Sequence, residues 1–197
     1  STLIRQARPE ERPEGTSVNL PLTRGSTVLF PTLDDMNQQG KKRYEHAYIY
    51  GAMGTPVQHE LEKAIANIEG GTDCQVVSSG LAACTMPFLA FLKAGDHCLI
   101  PDSVYGPTRR FANNTLKRFG IHTTYYPPQA SKEELEALIL PTTRMVFTES
   151  PGSHTFEVQD IPMLATCAHA HNALLVLDNT WGFGIFAPFE HGVDVSI

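Results

Sequence analysis

The sequence predicts an α/β fold: a mostly parallel sheet with helices on both faces, preceded by an extended N-terminal arm. Three observations carry this reading. From Pro56 onward, short apolar runs alternate with helix-length segments, the pattern of successive βαβ units. Leu174-Leu175-Val176-Leu177 is apolar throughout, as a strand covered on both faces must be. Before Gly54 the chain carries Pro9, Pro13, Pro21 and Pro31 and shows little periodicity. Such a segment cannot build its own core and is expected to lie on a neighbouring subunit. The expected division is therefore an arm, residues 1–54, and a sheet domain, residues 55–197.

The elements follow in order. Val57, Leu61, Ala64, Ile65 and Ile68 recur at helical spacing, so a helix with that face buried is expected. Gly70-Gly71 ends it. Gln75-Val76-Val77 reads as a short strand and Ser78-Ser79-Gly80 as a turn. Leu81–Leu92 reads as a helix apolar on all sides, hence buried, and bent at Pro87. Cys98-Leu99-Ile100 is the next strand, Pro107–Phe119 a helix with Pro in its first turn, and Ile121–Tyr126 a strand. Ser131-Lys132-Glu133-Glu134 is a capping box opening a helix through Leu138 and Ile139. Met145-Val146-Phe147 is a strand, and Ile161, Leu164, Ala165 and Ala168 mark a helix before Leu174–Leu177. Val193–Ile197 has the character of the middle of a strand, so the chain is expected to be a piece of a larger protein.

Composition narrows the function. With 42% hydrophobic residues among 197, the chain can form a globular core and is not a disordered segment. Fifteen basic residues against 21 acidic give a net charge of −6, which argues against general binding to nucleic acid or anionic membranes. No apolar run approaches the ~20 residues a membrane-spanning helix needs. No signal-type apolar region is visible near the start, so the cytoplasm is expected. Cys74, Cys84, Cys98 and Cys167 are widely spaced with no CxxC pair and read as buried thiols.

In an open parallel sheet, ligands bind beyond the carboxyl ends of the strands. Ser79-Gly80-Leu81 joins a strand end to a helix N-terminus, where free N–H groups favour an anion; most such turns, taken alone, are simply caps. Asp178 follows four apolar residues, which places a carboxylate deep at a crevice or makes it a cap for nearby N–H groups. Tyr105 follows the strand at Ile100 and is either a platform for a flat aromatic ligand or a loop tyrosine. His169 and His171 sit two residues apart, which points them to different sides of a helix; no metal site is expected there. Together, a phosphate seat, an aromatic face and a carboxylate at three successive strand ends form the set that holds pyridoxal phosphate.

An ordered series of segments sharpens this: Tyr50…Gly54-Thr55-Pro56, Leu61-Glu62…Glu69-Gly70-Gly71, Ser79-Gly80-Leu81-Ala82-Ala83, Gly95-Asp96-His97, Tyr105-Gly106-Pro107-Thr108, Glu149-Ser150-Pro151-Gly152-Ser153, Asp178-Asn179-Thr180-Trp181 and Gly192–Ile197. From about Val18 onward the chain resembles the γ-family of fold type I pyridoxal-phosphate enzymes of Cys/Met metabolism, on its cystathionine β-lyase-like side. The resemblance implies the aminotransferase-like large domain of that fold type. It implies that Gly80 and Leu81 bind the phosphate through N–H groups. Tyr105 would stack on the ring and assist proton transfers, Asp178 would pair with the ring nitrogen, and Ser153 would lie near the ring hydroxyl. Tyr50 would reach the phosphate of a neighbouring subunit in a homotetramer. The implied reaction is β-elimination of L-cystathionine to homocysteine, pyruvate and ammonia; γ-elimination, γ-replacement or a non-catalytic role are the alternatives.

Two departures stand out. Where the family has Tyr-x-Arg, this chain has Tyr50-Gly51-Ala52, so a bidentate Arg–phosphate contact is missing at Ala52. The cofactor-linking lysine of the family falls beyond Ile197. Lys41, Lys42, Lys63, Lys93, Lys117 and Lys132 do not follow a strand end near Asp178, so residues 1–197 alone are expected to be inactive.

Overall fold

The computed structural model describes residues 20–197; the expectations for residues 1–19 lie outside them. The chain packs as two compact units, one ending at Val76 and one running Val77–Ile197.

The first unit holds helix α1, Leu33–Lys41, a 3-10 turn at Gly51–Met53 and helix α2, Pro56–Glu69. α1 departs from the extended arm expected here. Thr32 caps it by accepting the Asp35 N–H, Asp34 and Asp35 occupy its first turn, and Lys41 its last. Those groups suit the helix dipole, and no residue of the helix is buried. α2 forms where expected, with Gln58 Oε1 accepting the Thr55 N–H at 2.9 Å and Gly70 ending it at φ +78°. Its buried side chains, however, are His59, Glu62, Ala66 and Glu69, while Leu61 is 48% exposed. Polar contacts, not the apolar stripe, hold this helix within its unit. Gln75-Val76-Val77 forms no strand: the Val76 N–H goes to Glu62 Oε1 at 3.0 Å instead of to a ladder.

The second unit is a five-stranded sheet in the order β2-β1-β3-β4-β5, with each pairing parallel. The strands are β1 His97–Pro101, β2 His122–Tyr126, β3 Thr143–Glu149, β4 Leu174–Asp178 and β5 Val195–Ser196. Helix α3 Gly80–Phe91 precedes β1; α4 Gly106–Phe111, α5 Lys132–Leu138 and α6 Ile161–Ala170 connect β1 through β4 in turn, with α4 continuing through a π-helical turn at Ala112–Leu116.

Strand alternation divides the core in two. Leu99, Val146, Leu175 and Leu177 pack with Leu135, Leu164 and Ala168 of α5 and α6. Cys98, Ile100, Met145, Phe147 and Val176 pack with Phe88 of α3 and Leu116 on the other face. Phe88 stacks on Phe147 with ring centroids 5.0 Å apart. The helices on both faces are therefore those the sequence calls for, as is the capping box of Ser131 and Glu134.

The burial of α3 differs from expectation. It runs continuously through Pro87, with Cys84, Pro87 and Phe88 buried. Leu81, Met86, Leu89 and Phe91 lie exposed on the remaining surface. Of the cysteines, Cys84, Cys98 and Cys167 are buried and Cys74 is half-buried; all four are free. Among the described residues no helix is long and apolar enough to cross a membrane.

Candidate active site

Because the strands run parallel, β1, β3 and β4 deliver their carboxyl ends to one end of the sheet. β3 ends at Glu149 and β4 at Asp178, and the register sets these two residues directly opposite each other.

Asp178 is 6% exposed. Its Oδ1 accepts from the Thr180 N–H at 3.1 Å and the Thr180 hydroxyl at 2.6 Å. Its Oδ2 accepts from the Cys84 thiol at 3.3 Å. These donors offset the cost of placing the carboxylate at depth. Burial pushes the Cys84 thiol up to about 12, and the Asp178 charge adds to the shift. The thiol therefore keeps its proton and remains a donor. Since Cys84 lies one turn along α3, this bond also draws the N-terminus of α3 toward the end of β4.

At that N-terminus the Ser79 hydroxyl accepts the Ala82 N–H at 3.1 Å. Helix geometry leaves the N–H groups of Gly80 and Leu81 without partners inside the helix. A Cβ at Gly80 would meet nothing within 4 Å, so open space adjoins these donors.

Tyr105 follows β1 and is 43% exposed. Its N–H donates to Glu149 Oε2 at 2.6 Å. The Ser153 hydroxyl donates to Glu149 Oε1 at 2.7 Å, and the Ser153 N–H to the Ser103 carbonyl at 2.9 Å. One carboxylate thus fixes both the tyrosine backbone and the serine. Burial raises the Glu149 carboxyl above its ordinary range; the bonds from Ser153 and Tyr105 oppose this and the Asp178 charge reinforces it.

The second unit accordingly gathers Gly80, Leu81, Tyr105, Ser153 and Asp178 at one end of its sheet. Tyr50 belongs to the first unit, where it is 47% exposed and pairs with Thr27 in an antiparallel bridge. Glu149, Cys84 and Thr180 were not anticipated as site residues. Glu149 carried a readable signal, a carboxylate closing an apolar strand as Asp178 does. Cys84 carried none, since its partner is 94 positions away. His169, in the last turn of α6, bonds to Asp194 Oδ2 at 2.9 Å.

An open parallel sheet with polar groups converging beyond its strand ends is the architecture of an α/β enzyme domain. The Cys/Met metabolism PLP-dependent enzyme family matches residues 1–197, and the chain belongs to that family of pyridoxal-phosphate-dependent enzymes. It is 44% identical to cystathionine beta-lyase of Bordetella avium over 183 residues, 91% of this chain and 46% of that protein. It is 36% identical to cystathionine beta-lyase of Haemophilus influenzae, covering 100% of this chain and 50% of that one. The crystal structure of cystathionine gamma-lyase from Lactobacillus plantarum superposes with a TM-score of 0.86 at 29% identity, over 98% of this chain and 48% of that chain. The chain thus spans about half the length of the relatives it matches.

Proposed function

We propose that this chain supplies the cofactor-binding part of a cystathionine β-lyase. The carrying observation is Asp178, a buried carboxylate at the end of β4 held by Cys84 and Thr180. The residues fit pyridoxal phosphate: free N–H donors beside open space at Gly80, an exposed aromatic ring at Tyr105 and a carboxylate at depth. When bound, pyridoxal phosphate accepts the electrons left on a substrate carbon as its proton departs.

The chain's own residues prepare that chemistry. Gly80 and Leu81 hold the phosphate through their N–H groups. Tyr105 stacks on the ring, and Glu149 keeps its backbone in place. Ser153 serves the ring hydroxyl. Asp178 keeps a proton on the ring nitrogen, so that the ring stays electron-poor. Tyr50 extends to the phosphate of a neighbouring subunit in a homotetramer, consistent with its exposure. Four free thiols suit a cytoplasmic protein.

The β-lyase reading draws support from Glu149-Ser150-Pro151-Gly152-Ser153 and from the names of the two bacterial relatives above. The test is a product assay of the full-length protein on L-cystathionine. Pyruvate and homocysteine are expected. Release of 2-oxobutyrate would replace the reading with γ-elimination, and no turnover would replace it with a non-catalytic role.

A further inference from the structure

The first unit holds a second cluster of chemistry-bearing side chains, which the reaction above does not use. His46, His59 and Glu62 each present a ligand atom, and these atoms all lie within 4.8 Å of one another. We propose that His46, His59 and Glu62 form a three-ligand site for a borderline divalent cation of the zinc class.

Four features support the assignment. His46 Nδ1 stands 3.2 Å from Glu62 Oε2. That is close to the edge of a tetrahedral zinc site, about 3.3 Å for bonds of ~2.0–2.1 Å. The opposite nitrogen, His46 Nε2, lies 2.8 Å from Asp73 Oδ1, so a carboxylate is placed to fix the ring and its tautomer, as it does for histidines on metals. Glu62 is secured in the same manner: its Oε1 accepts from the Val76 N–H at 3.0 Å and from Gln75 Nε2 at 3.3 Å, which leaves Oε2 for the cation.

His59 supplies the decisive contrast. It is 6% exposed, its ring packs edge-on against His46 with centroids 5.1 Å apart, and its ring nitrogens make no hydrogen bond to the described residues. The ring borders the open cleft, so a cation entering there would give its nitrogen the partner that the chain does not supply. The residue beside the ring is a glycine, so no side chain crowds it. Gly54 adopts φ +120°, and a Cβ there would fall 2.2 Å from His59 Nε2.

His46 alone could serve as a hydrogen-bonded bridge between Glu62 and Asp73, and that arrangement would account for two of the three residues. It leaves His59 unexplained. Two imidazoles and one carboxylate are the donor set of zinc, and the cluster lines an open cleft of about 670 Å³ that gives water access to a fourth position.

The test uses the purified full-length protein, stripped with chelator and titrated with Co²⁺, with Zn²⁺ as competitor. One Co²⁺ per chain with an intense tetrahedral visible spectrum, displaced by Zn²⁺, is expected. His59→Gln and His46→Gln should each abolish the spectrum, and Asp73→Asn should weaken binding ~10–100-fold. His171→Gln, an exposed histidine outside the cluster, should bind as the parent does. X-ray absorption at the zinc edge of the unmutated protein supplies a readout independent of variant folding: imidazole and oxygen scattering without sulfur. Substoichiometric binding, sulfur in the shell, or a spectrum that survives both histidine substitutions would overturn the assignment.

Discussion

Glu149 and Asp178 face each other in register on adjacent parallel strands, two buried carboxylates with separate sets of donors. Glu149 takes the Tyr105 N–H and the Ser153 hydroxyl. Asp178 takes Thr180 and the Cys84 thiol. Sheet register therefore sets the spacing of both at once, and a slip of one residue would turn the pair to the opposite face.

Asp178→Asn is nearly isosteric and should keep the fold. It should cost the full-length enzyme several orders of magnitude in turnover, roughly 3–5 kcal/mol of barrier, by analogy with other electrostatic stabilisers. Pyruvate release beside a circular dichroism spectrum checks this. Near-normal turnover in a folded variant would remove Asp178 from its assigned role.

Glu149 should leave a mark on stability against pH. Its carboxyl is raised in the folded protein, chiefly by burial. As pH rises through the ordinary carboxylate range near ~4.3, the unfolded chain ionises first and the folded chain still holds its proton. The folded state then binds more protons, so stability falls with rising pH. Glu149→Gln removes this contribution. Its denaturation midpoint should gain on the parent's between pH 4 and 7, and parallel midpoint curves would contradict the assignment.

Thiol chemistry offers an independent check. Burial pushes Cys84 to about 12 and Cys98 to about 11. At pH 8 the thiolate fraction of Cys84 is about a thousandfold below that of an ordinary cysteine. Alkylation followed by peptide mass spectrometry should find both sites protected in the native protein and labelled after denaturation. Rapid native labelling of Cys84 would mean that its bond to Asp178 is not maintained.

His169 and Asp194 form a half-exposed pair, yet their deletions should differ. Asp194 Oδ2 also accepts the Leu175 N–H at 2.7 Å, at the start of a central strand. Asp194→Ala strands that donor and should cost ~1–3 kcal/mol. His169→Ala loses only a surface pair, ~0–1 kcal/mol. Equal losses in urea unfolding would contradict the distinction.

The inner strands β1, β3 and β4 were legible because both faces of the sheet are covered there: Leu174–Leu177 must be apolar in full, and local sequence records that, whereas Gln75-Val76-Val77 has the composition of a strand without forming one. Burial of the helices was less legible. Hydrophobicity marks Leu61 on α2 and Leu81, Met86, Leu89 and Phe91 on α3, but the interior of this chain does not take them up. α1 is hard to read from sequence because Leu33 and Met36 are its only large apolar residues and none of the helix is buried; its clearest signal is the Thr32 cap. Asp178 could be found because a charge after an apolar run stands out. Its tie to Cys84 could not, because that contact exists only once distant segments have folded together.

The strand order β2-β1-β3-β4-β5 also bears on how the sheet is built during synthesis. β2 pairs with one side of β1, β3 takes the other side, and β4 and β5 then extend that edge in the order in which they leave the ribosome. Among the five described strands none has to be inserted between two already joined, so each of them docks on an edge already present when it arrives. Vectorial growth of this kind predicts that protection from pulse-labelled hydrogen exchange on nascent chains will appear at β1 before β4. Simultaneous protection of all five strands would instead indicate collapse after release.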